Sequence, residues 1–285
     1  MSIKTVSIVG VGLIGGSFGL ALKKYGFSGR VIGVSSQRTV EKALGCGAID
    51  ESASLRDAVE QADLVFLSAP IPQIIEQLPL VAAVAKDGAI ITDAGSAKAA
   101  IADTAQQVFN RGAVFIGGHP MAGKEGRGVA IADPDLFVDA TWALTPVNEA
   151  HLQLPAALEF AALIRTMGAR QRVMSPAEHD RIVAWTSHLP QLLSTALARA
   201  VGEQIPDGAA REVAGPGLRD MSRLAESPYE MWEGIIAANG GEIRRALELF
   251  QAELERTRAA LGTPEMETTF TEARDAARNI RKGSQ

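Results

Sequence analysis

Short apolar, β-branched runs alternate with helix-like segments over the first half of the chain, and this alternation constrains the fold most. Most of the runs lack a polar–apolar alternation, which is typical of strands buried on both faces of a parallel sheet. Alternating strands and helices imply right-handed crossovers, so we expect a doubly wound α/β sheet. The predicted strands are residues 5–9, 30–34, 64–68, 89–92, 114–117, 142–145 and 170–174, and the predicted helices are residues 17–25, 55–61, 74–84, 97–109 and 154–167.

The strand signal stops at Pro176, and the rest of the sequence predicts helices. Residues 177–201 predict one long helix that is apolar around much of its circumference and kinked at Pro190. A later amphipathic helix has an apolar stripe formed by Ile243, Leu247, Phe250, Leu254 and Leu261. A small helical unit cannot bury such stripes alone, so we expect a homodimer formed through it. The predicted organisation is an α/β domain over residues 1–174 and an all-α dimerisation domain over residues 175–285.

Composition and charge narrow the class of protein. The 285 residues carry a net charge of −5, whereas a nucleic-acid-binding protein normally presents a basic face. The single cysteine, Cys46, excludes an internal disulfide and fits a reducing compartment. The N-terminus passes directly into a strand without a signal-peptide pattern, and no apolar stretch is long enough to span a membrane. We therefore expect a cytoplasmic protein that binds neither nucleic acid nor a membrane.

A glycine-rich turn follows the first predicted strand and opens the first helix. It consists of Gly10, Val11, Gly12, Leu13, Ile14 and Gly15. In this context Gly10 permits the tight turn, Gly12 lets a pyrophosphate approach the backbone, and Gly15 allows close packing of helix on strand. The free N–H groups at the helix start then face the phosphates. The first domain is therefore predicted to be Rossmann-like and to bind a dinucleotide, and a turn without a ligand is the alternative interpretation.

The end of the second strand indicates which dinucleotide is bound. An Asp or Glu about 20 residues past the glycines usually holds the ribose 2′-hydroxyl of NAD. This chain has no carboxylate at that point, and instead Ser35, Ser36 and Arg38 are available to a 2′-phosphate. NADP is therefore the predicted cofactor. In the alternative interpretation Arg38 is a solvated residue at a helix start, and the site accepts NAD as well.

Polar residues are predicted at the carboxyl ends of several strands, which is the edge where open α/β sheets bind ligands. Ser68, Ala69 and Pro70 are expected to contact the cofactor there. His119 follows a strand and two glycines, so we expect it in a loop near the nicotinamide. An imidazole there is suited to remove a proton from a hydroxyl as hydride leaves the same carbon, and Ser96 is placed to orient that hydroxyl. The alternative for His119 is a loop histidine that caps a backbone carbonyl.

Five segments, taken together, resemble the prephenate/arogenate dehydrogenases of tyrosine biosynthesis, and the resemblance covers nearly the whole chain in order. The His-Pro-Met-Ala-Gly block is its most specific part. The segment over residues 31–37 looks most like the compact cyanobacterial arogenate dehydrogenases that use NADP. The five segments are residues 12–17 (Gly-Leu-Ile-Gly-Gly-Ser), 93–98 (Asp-Ala-Gly-Ser-Ala-Lys), 118–125 (Gly-His-Pro-Met-Ala-Gly-Lys-Glu), 187–190 (Ser-His-Leu-Pro) and 219–223 (Arg-Asp-Met-Ser-Arg).

This resemblance implies oxidative decarboxylation of a cyclohexadienol. Hydride leaves the ring carbon that bears the 4-hydroxyl, the ring carboxylate leaves as carbon dioxide, and the ring becomes aromatic. The resemblance also implies that His119 engages the 4-hydroxyl as a base, that Ser96 shares that contact, and that Arg223 binds a substrate carboxylate. Glu125 matches an acidic residue near the mouth of the site. A histidine base predicts activity that falls in acid near an ordinary histidine pKa.

Three further polar residues of the helical half are candidate substrate contacts: His179, His188 and Gln191. Many prephenate-using members of the family have a second histidine where this chain has Gln191. A neutral amide tolerates the ammonium group of arogenate better than a cation does, so arogenate is the predicted substrate and prephenate the second one. His179 and His188 lie on opposite faces of a straight helix. A kink near Pro190 or a partner subunit is therefore needed to bring all three to one pocket.

Other classes of protein remain as alternatives at this point. No histidine has metal-ligand spacing with another histidine or a carboxylate, so no metal site is predicted. A β-hydroxyacid dehydrogenase or a pyrroline-carboxylate reductase pairs a similar front half with a helical back half. The hydroxyacid enzymes place a catalytic lysine on the helix between the two halves, and residues 177–201 contain no lysine. A nucleotide-sensing module without turnover is the alternative from another class.

Overall fold

The structure, a computed structural model, describes residues 3–110, 112–205, 208 and 212–282. Its first half alternates strands and helices as the sequence predicts. The elements of this half are β1 (Thr5–Val9), α1 (Leu13–Lys24), β2 (Arg30–Val34), α2 (Gln37–Gly45), β3 (Glu51–Ser52), α3 (Leu55–Gln61), β4 (Leu64–Leu67), α4 (Ile71–Val84), β5 (Ile90–Asp93), α5 (Ala99–Val108), β6 (Val114–Pro120), β7 (Thr141–Pro146), α6 (Pro155–Thr166) and β8 (Arg170–Val173).

Within the described residues, the eight strands form one sheet in the order β3-β2-β1-β4-β5-β6-β7-β8. Strand order reverses direction at β1, from which β2 and β4 extend on opposite sides. The carboxyl ends of β1, β4, β5 and β6 therefore lie side by side at one edge of the sheet, where such folds bind ligands. The predicted doubly wound α/β sheet is confirmed.

One strand departs from the predicted parallel arrangement. β7 pairs antiparallel with β6, with His119 opposite Ala143. The connection between these two strands forms a 3₁₀ turn at Val129–Ile131 and no longer helix, whereas a parallel return normally needs a crossover helix. The chain therefore doubles back, and β8 then pairs parallel with β7.

Each face of the sheet is covered by a separate apolar core. On one face Trp142 of β7 contacts Phe18 and Phe66 at ring-centroid distances of 5.9 Å each, and Phe137 at 5.1 Å. On the other face the fully buried Ile74, Leu78 and Val81 of α4, with Ile101 and Ala105 of α5, pack on β4 and β5. Burial on both faces explains why the sequences of these strands are nearly continuous apolar runs.

The second half is helical, as predicted. Its elements are α7 (Pro176–Val183), a π-helical segment (Ala184–His188), α8 (Leu189–Gln204), α9 (Pro216–Ser222), a 3₁₀ turn (Arg223–Glu226), α10 (Tyr229–Ala260) and α11 (Glu265–Lys282). No helix in the described part of the chain is long and apolar enough to cross a membrane.

The predicted single helix over residues 177–201 differs in detail from the structure. Its distortion lies in the π-helical segment at Ala184–His188 rather than at Pro190 itself. Leu189 donates its N–H to the Ala184 carbonyl five residues back, and the proline that follows has no N–H to continue the α-helical ladder. The wider turn changes the angle between residues before and after it, so the straight-helix geometry assumed for His179 and His188 does not apply.

The apolar stripe of α10 is covered at one end and open at the other. Ile243 is buried at 5% exposed, and Ala246 and Phe250 further along the helix pack against Ala184 of the π-helical segment and Leu189 of α8. Leu247, Leu254 and Leu261 are 37%, 54% and 67% exposed in the single chain. Large exposed apolar side chains along one helix are typical of a surface that another protein chain covers.

Candidate active site

The glycine turn after β1 forms an open phosphate cradle. Gly10 has a φ of +92°, and a Cβ there would lie 2.7 Å from the Ala69 amide nitrogen. A Cβ on Gly15 would lie 2.3 Å from the Gly10 carbonyl oxygen, so helix and strand pack too closely for a side chain. At Gly12, by contrast, no described atom lies within 4 Å of a built Cβ. That open side of the turn is where a pyrophosphate can approach the backbone.

The start of α1 completes the cradle. Gly12 precedes the helix, Leu13 and Ile14 are its first residues, and none of the described side chains caps it. Its first N–H groups are therefore free to bind an anion. Ser68 donates its hydroxyl to the Gly10 carbonyl at 2.7 Å and thereby fixes the turn against the end of β4.

The residues that are expected to bind the ribose of the cofactor lie at the end of β2. Ser35, Ser36 and Arg38 are exposed there, and the Ser36 hydroxyl lies 3.0 Å from that of Thr39. Within the described residues the Arg38 guanidinium has no hydrogen bond or ion pair. The group is therefore free to bind an anionic ligand such as a 2′-phosphate.

His119 lies inside β6, and the prediction that it lies in a loop is wrong. The preceding glycines belong to the strand because neighbouring groups leave no room for side chains. A Cβ on Gly117 would lie 2.3 Å from the Thr145 hydroxyl oxygen, and one on Gly118 would lie 2.6 Å from the Asp93 carbonyl oxygen. A strand holds His119 more firmly than a loop, at the carboxyl edge of the sheet.

The His119 ring is linked to two residues of α7. Its Nδ1 lies 2.9 Å from Nε2 of His179, and Nδ1 of His179 lies 2.8 Å from Oδ1 of Asp180. Burial lowers the pKa of His119 well below the usual histidine value, and the neighbouring His179, Lys98 and His188 lower it further. The ring is therefore neutral at physiological pH, as a proton acceptor must be.

A buried ion pair connects the His119 strand to the segment that follows β5. The Lys98 ammonium contacts the Asp93 carboxylate and donates to the Gly118 carbonyl at 2.7 Å. Asp93 in turn accepts the N–H of Gly95 at 2.8 Å and that of Gly118 at 3.1 Å. Burial lowers the pKa of Lys98, although Asp93 opposes the shift. The pair holds the residues on either side of Ser96 against the residue before His119.

Ser96 borders a cleft between the two halves of the molecule. The cleft has a volume of about 380 Å³. Ala69, Pro70 and Ser96 line it on the side of the sheet, and Met231 and Gly234 of α10 line it on the helical side. A ligand held by the cradle and reaching along the sheet edge would enter this cleft.

A second cleft of about 480 Å³ adjoins the first, since Met231 lines both. Arg223 and Glu125 face each other across it, with Nη1 of the arginine 3.4 Å from Oε1 of the glutamate. Their side chains are 60% and 88% exposed, so the ion pair contributes little to the free energy of folding. Either partner is therefore free to bind a ligand. Arg127 and Glu230 make a similar contact at 3.8 Å.

His188 is packed inside the helical half. It is 1% exposed, and its Nδ1 lies 3.2 Å from the Asn239 side-chain nitrogen. The same Asn239 nitrogen donates to the Asp180 carbonyl at 2.9 Å, and the Trp232 ring contacts His188 edge-on at 6.0 Å. Burial lowers the pKa of His188 to about 4. Asn239 therefore joins His188 to the residue beside His179, across the π-helical segment.

Gln191 supports the turn that carries Arg223. Its side-chain nitrogen donates to the Leu224 carbonyl at 2.7 Å, and the Ser194 hydroxyl accepts the N–H of Ala225 at 3.0 Å. Gln191 is 5% exposed. Two neighbouring side chains of α8 thus fix the backbone directly after Arg223.

The structure brings together some of the predicted residues and adds others. His119 and His179 are in direct contact, whereas His188 and Gln191 each contact other groups. Sequence reasoning assigned no role to Asp180, Asn239 or the Asp93–Lys98 pair. Asp93 and Lys98 stand in a segment that the family resemblance had already marked. An acid directly after His179 was a usable signal for Asp180, but nothing local to Asn239 pointed to it.

Comparison with known proteins agrees with this arrangement. The family model for the nucleotide-binding domain of prephenate dehydrogenase matches residues 18–171, and the model for the dimerization domain of prephenate dehydrogenase matches residues 175–273. A prephenate dehydrogenase from Bacillus subtilis is 34% identical over 93% of this chain and 72% of its own length.

Two solved structures are similar over almost their whole length. Arogenate dehydrogenase from Synechocystis superposes with a TM-score of 0.83 at 30% identity, covering 97% of this chain and 99% of that one. Prephenate dehydrogenase from A. aeolicus, solved with hydroxyphenyl propionate and NAD+, superposes with a TM-score of 0.89 at 28% identity, covering 98% and 99%. The chain therefore belongs to the prephenate dehydrogenase family.

Proposed function

We propose that this chain catalyses the NADP-dependent oxidative decarboxylation of arogenate to tyrosine and accepts prephenate as a second substrate. The observation that carries this proposal is a neutral histidine, His119, held in a strand at the edge of a sheet that ends in a phosphate cradle. A bound nicotinamide would accept a hydride from the ring carbon that bears the 4-hydroxyl. The bond from the ring to its carboxylate breaks at the same time, and its electron pair completes the aromatic ring.

His119 acts in this proposal as the general base. The 4-hydroxyl proton must leave as the carbon beneath it loses hydride, and a neutral imidazole is the acceptor suited to that task. The lowered pKa of His119 keeps the ring unprotonated before the reaction. His119 thus takes the hydroxyl proton while hydride leaves and returns it to the phenolate oxygen once carbon dioxide has left and the ring is aromatic, so that the product keeps its 4-hydroxyl and His119 is neutral again.

Ser96 orients the same hydroxyl. It lies in the segment between β5 and α5 and lines the cleft beside Ala69 and Pro70. The Asp93–Lys98 ion pair ties this segment to the strand of His119, so the two side chains keep a fixed relation. A hydroxyl that is held in one orientation transfers its proton more readily than a freely rotating one.

Arg223 binds a substrate carboxylate at the wider cleft. Its guanidinium is exposed and paired only weakly with Glu125, so an incoming carboxylate can replace that partner. Glu125 lies at the mouth of the site, as the family resemblance suggests. His179, His188 and Gln191 are buried, and we propose that they support the site rather than line it.

The cofactor is held along the sheet edge. Gly10, Gly12 and Gly15, with the first N–H groups of α1 at Leu13 and Ile14, bind the pyrophosphate. Ser68, Ala69 and Pro70 lie along its path toward the cleft. Arg38, which has no partner among the described residues, binds a 2′-phosphate together with the hydroxyls of Ser35 and Ser36. The absence of a carboxylate at the end of β2 removes the usual preference for NAD.

Arogenate is proposed over prephenate because of Gln191. The residue carries no charge, and its N–H is already used by the Leu224 carbonyl. Gln191 therefore adds no positive charge beside the turn that carries Arg223, whereas a charged histidine at that position would disfavour the ammonium group of arogenate.

We also propose that the two predicted units, residues 1–174 and 175–285, act as a nucleotide-binding domain and a substrate and dimerisation domain. The exposed side chains of Leu247, Leu254 and Leu261 on and after α10 support a homodimer formed through the second unit.

The proposed function is tested by following NADPH formation with arogenate, prephenate and a set of β-hydroxyacids. We expect the highest kcat/KM with arogenate and NADP, a lower value with prephenate, and none with the hydroxyacids. Turnover of a hydroxyacid, or no turnover of either cyclohexadienol, would contradict the proposal.

A further inference from the structure

The two ring nitrogens of His119 have to play different parts if the ring is to act as a base. Only a nitrogen without a hydrogen can accept a proton, and in a neutral imidazole one nitrogen carries a hydrogen while the other does not. Nδ1 of His119 faces His179, so Nε2 is the nitrogen left for the substrate hydroxyl. The useful form of His119 is therefore the one with the hydrogen on Nδ1.

The residues of α7 select that form. The Asp180 carboxylate oxygen accepts hydrogen bonds, so Nδ1 of His179, 2.8 Å away, carries a hydrogen. In a neutral His179, Nε2 then has a free lone pair. This nitrogen lies 2.9 Å from Nδ1 of His119 and can only accept from it. The hydrogen of His119 is thereby placed on Nδ1.

Asp180 is itself held in one position. Its two oxygens accept the backbone N–H groups of Lys98 at 2.7 Å and Ala99 at 2.9 Å, at the start of α5. A negative charge is favoured at a helix N-terminus. The side chains of His179 and Asp180 are 2% and 3% exposed, so water does not compete for these hydrogen bonds.

The other titratable groups near His119 do not make this choice. Lys98, which is paired with Asp93, and His188 both disfavour a second proton on the ring. A nearby positive charge keeps the imidazole neutral, but it makes no hydrogen bond that distinguishes Nδ1 from Nε2. The hydrogen bond that Nδ1 of His119 donates to Nε2 of His179 makes that distinction.

We propose that Asp180, acting through His179, fixes His119 in the neutral tautomer that leaves Nε2 free to accept the substrate proton. His179 and Asp180 are thus positioning residues, and the inference rests on the proposed function of His119 as the base. Since His119 lies on β6 and the other two lie on α7, the base is oriented only where the helical half packs against the sheet. The arrangement follows the same logic as other histidine bases that are oriented by a buried carboxylate.

The test is a ¹⁵N NMR measurement of the histidine ring nitrogens in the whole chain at neutral pH. The chain has four histidines, and protonated and unprotonated ring nitrogens have well-separated shifts. We expect the signals of His119 to show a hydrogen on Nδ1 and none on Nε2. The NMR measurement needs no substrate, so its result is independent of the activity assay. If the protein turns over neither cyclohexadienol, the proposed function is refuted, but the tautomer of His119 can still be measured.

Two variants extend the test. Asp180→Asn removes the carboxylate, and His179→Gln replaces the ring with an amide that can either donate or accept while leaving the backbone bonds of Asp180 intact. For each we expect the Nε2–H form of His119 to become populated and kcat to fall about 10- to 100-fold, with the KM for nucleotide unchanged. Should Asp180→Asn fail to fold, His179→Gln carries the same test.

Asp63→Asn is the matched control. Asp63 also accepts two backbone N–H groups, from Lys4 and Thr5 at 2.9 Å each, but it lies at the opposite edge of the sheet. The control should leave both the His119 tautomer and kcat unchanged. The inference is overturned if His119 of the unaltered protein carries its hydrogen on Nε2. It is also overturned if His179→Gln keeps the original tautomer and normal kcat.

Discussion

Asp93 and Lys98 form an ion pair whose side chains are 0% and 1% exposed, next to the candidate active site. Each partner also bonds to the backbone of Gly118, the residue before His119. Asp93 further accepts an N–H from the segment that carries Ser96. One buried pair therefore holds the two proposed catalytic side chains in a fixed relation.

Lys98→Met is expected to lower the free energy of unfolding by about 3–5 kcal/mol, because it leaves the Asp93 carboxylate buried without its counter-charge. Urea denaturation monitored by circular dichroism measures the change. Lys86→Met is the control, since Lys86 pairs with Asp63 at the surface and should cost at most about 1 kcal/mol. An equal decrease in the free energy of unfolding in the two variants would show that the buried pair stabilises the fold no more than the surface pair does.

The acid limb of the pH profile is expected below the usual histidine range, which corrects the sequence-based prediction. His119 must be unprotonated to accept a proton, and its pKa lies well below 6.5, so stronger acid is needed to inactivate it. The kcat/KM for arogenate should therefore stay level from neutral pH through 6.5 and fall only below it. A profile already half-maximal at pH 6.5 would contradict the structure-based expectation.

Arg38→Ala is expected to weaken NADP binding by about 10- to 100-fold and to leave NAD binding unchanged. A charged hydrogen bond to the 2′-phosphate contributes roughly 1.5–3 kcal/mol, and NAD lacks that group. Titration of each nucleotide, followed by fluorescence, measures the effect. Arg56→Ala, another exposed arginine but on α3 and paired with Glu60, should change neither affinity. An unaltered protein that prefers NAD would refute the proposed cofactor.

Light scattering is expected to give twice the 30.0 kDa chain mass at micromolar concentration. Leu254→Glu should shift the protein toward the monomer, because it places a charge in the exposed stripe of α10. Leu158→Glu is the control, since Leu158 is exposed to a similar degree, 51%, but lies on α6 of the α/β half. A monomer in the unaltered protein would disprove the proposed assembly.

The fold follows from the sequence where burial leaves a clear pattern. β1, β2 and α3 have the predicted bounds. The two strands are apolar runs, and α3 is a short amphipathic helix with a capping residue at its start. β3 was missed because Glu51–Ser52 has two polar, exposed residues. α2 was not among the predicted helices, although one interpretation placed Arg38 at a helix start, because Gln37–Gly45 is mostly polar and buries two side chains, Val40 and Ala43.

The sequence indicated candidate site residues one by one, but it did not indicate the contacts between them. Glycines usually interrupt strands, so Gly117 and Gly118 suggested a loop before His119. In the structure they serve close contacts with Thr145 and Asp93, which are distant in sequence. The contact between His119 and His179 joins a strand to a helix 60 residues away, and the π-helical segment alters the helix geometry there. Neither relation leaves a local signal.

The central claim is that His119 is the base, and the most direct measurement is the pH dependence of kcat in His119→Asn. The variant should lose about 10²- to 10⁴-fold in kcat, keep its affinity for NADP, and show no acid limb, because the group that titrates is gone. Near-normal turnover with the acid limb still present would contradict the account and assign the base to another residue.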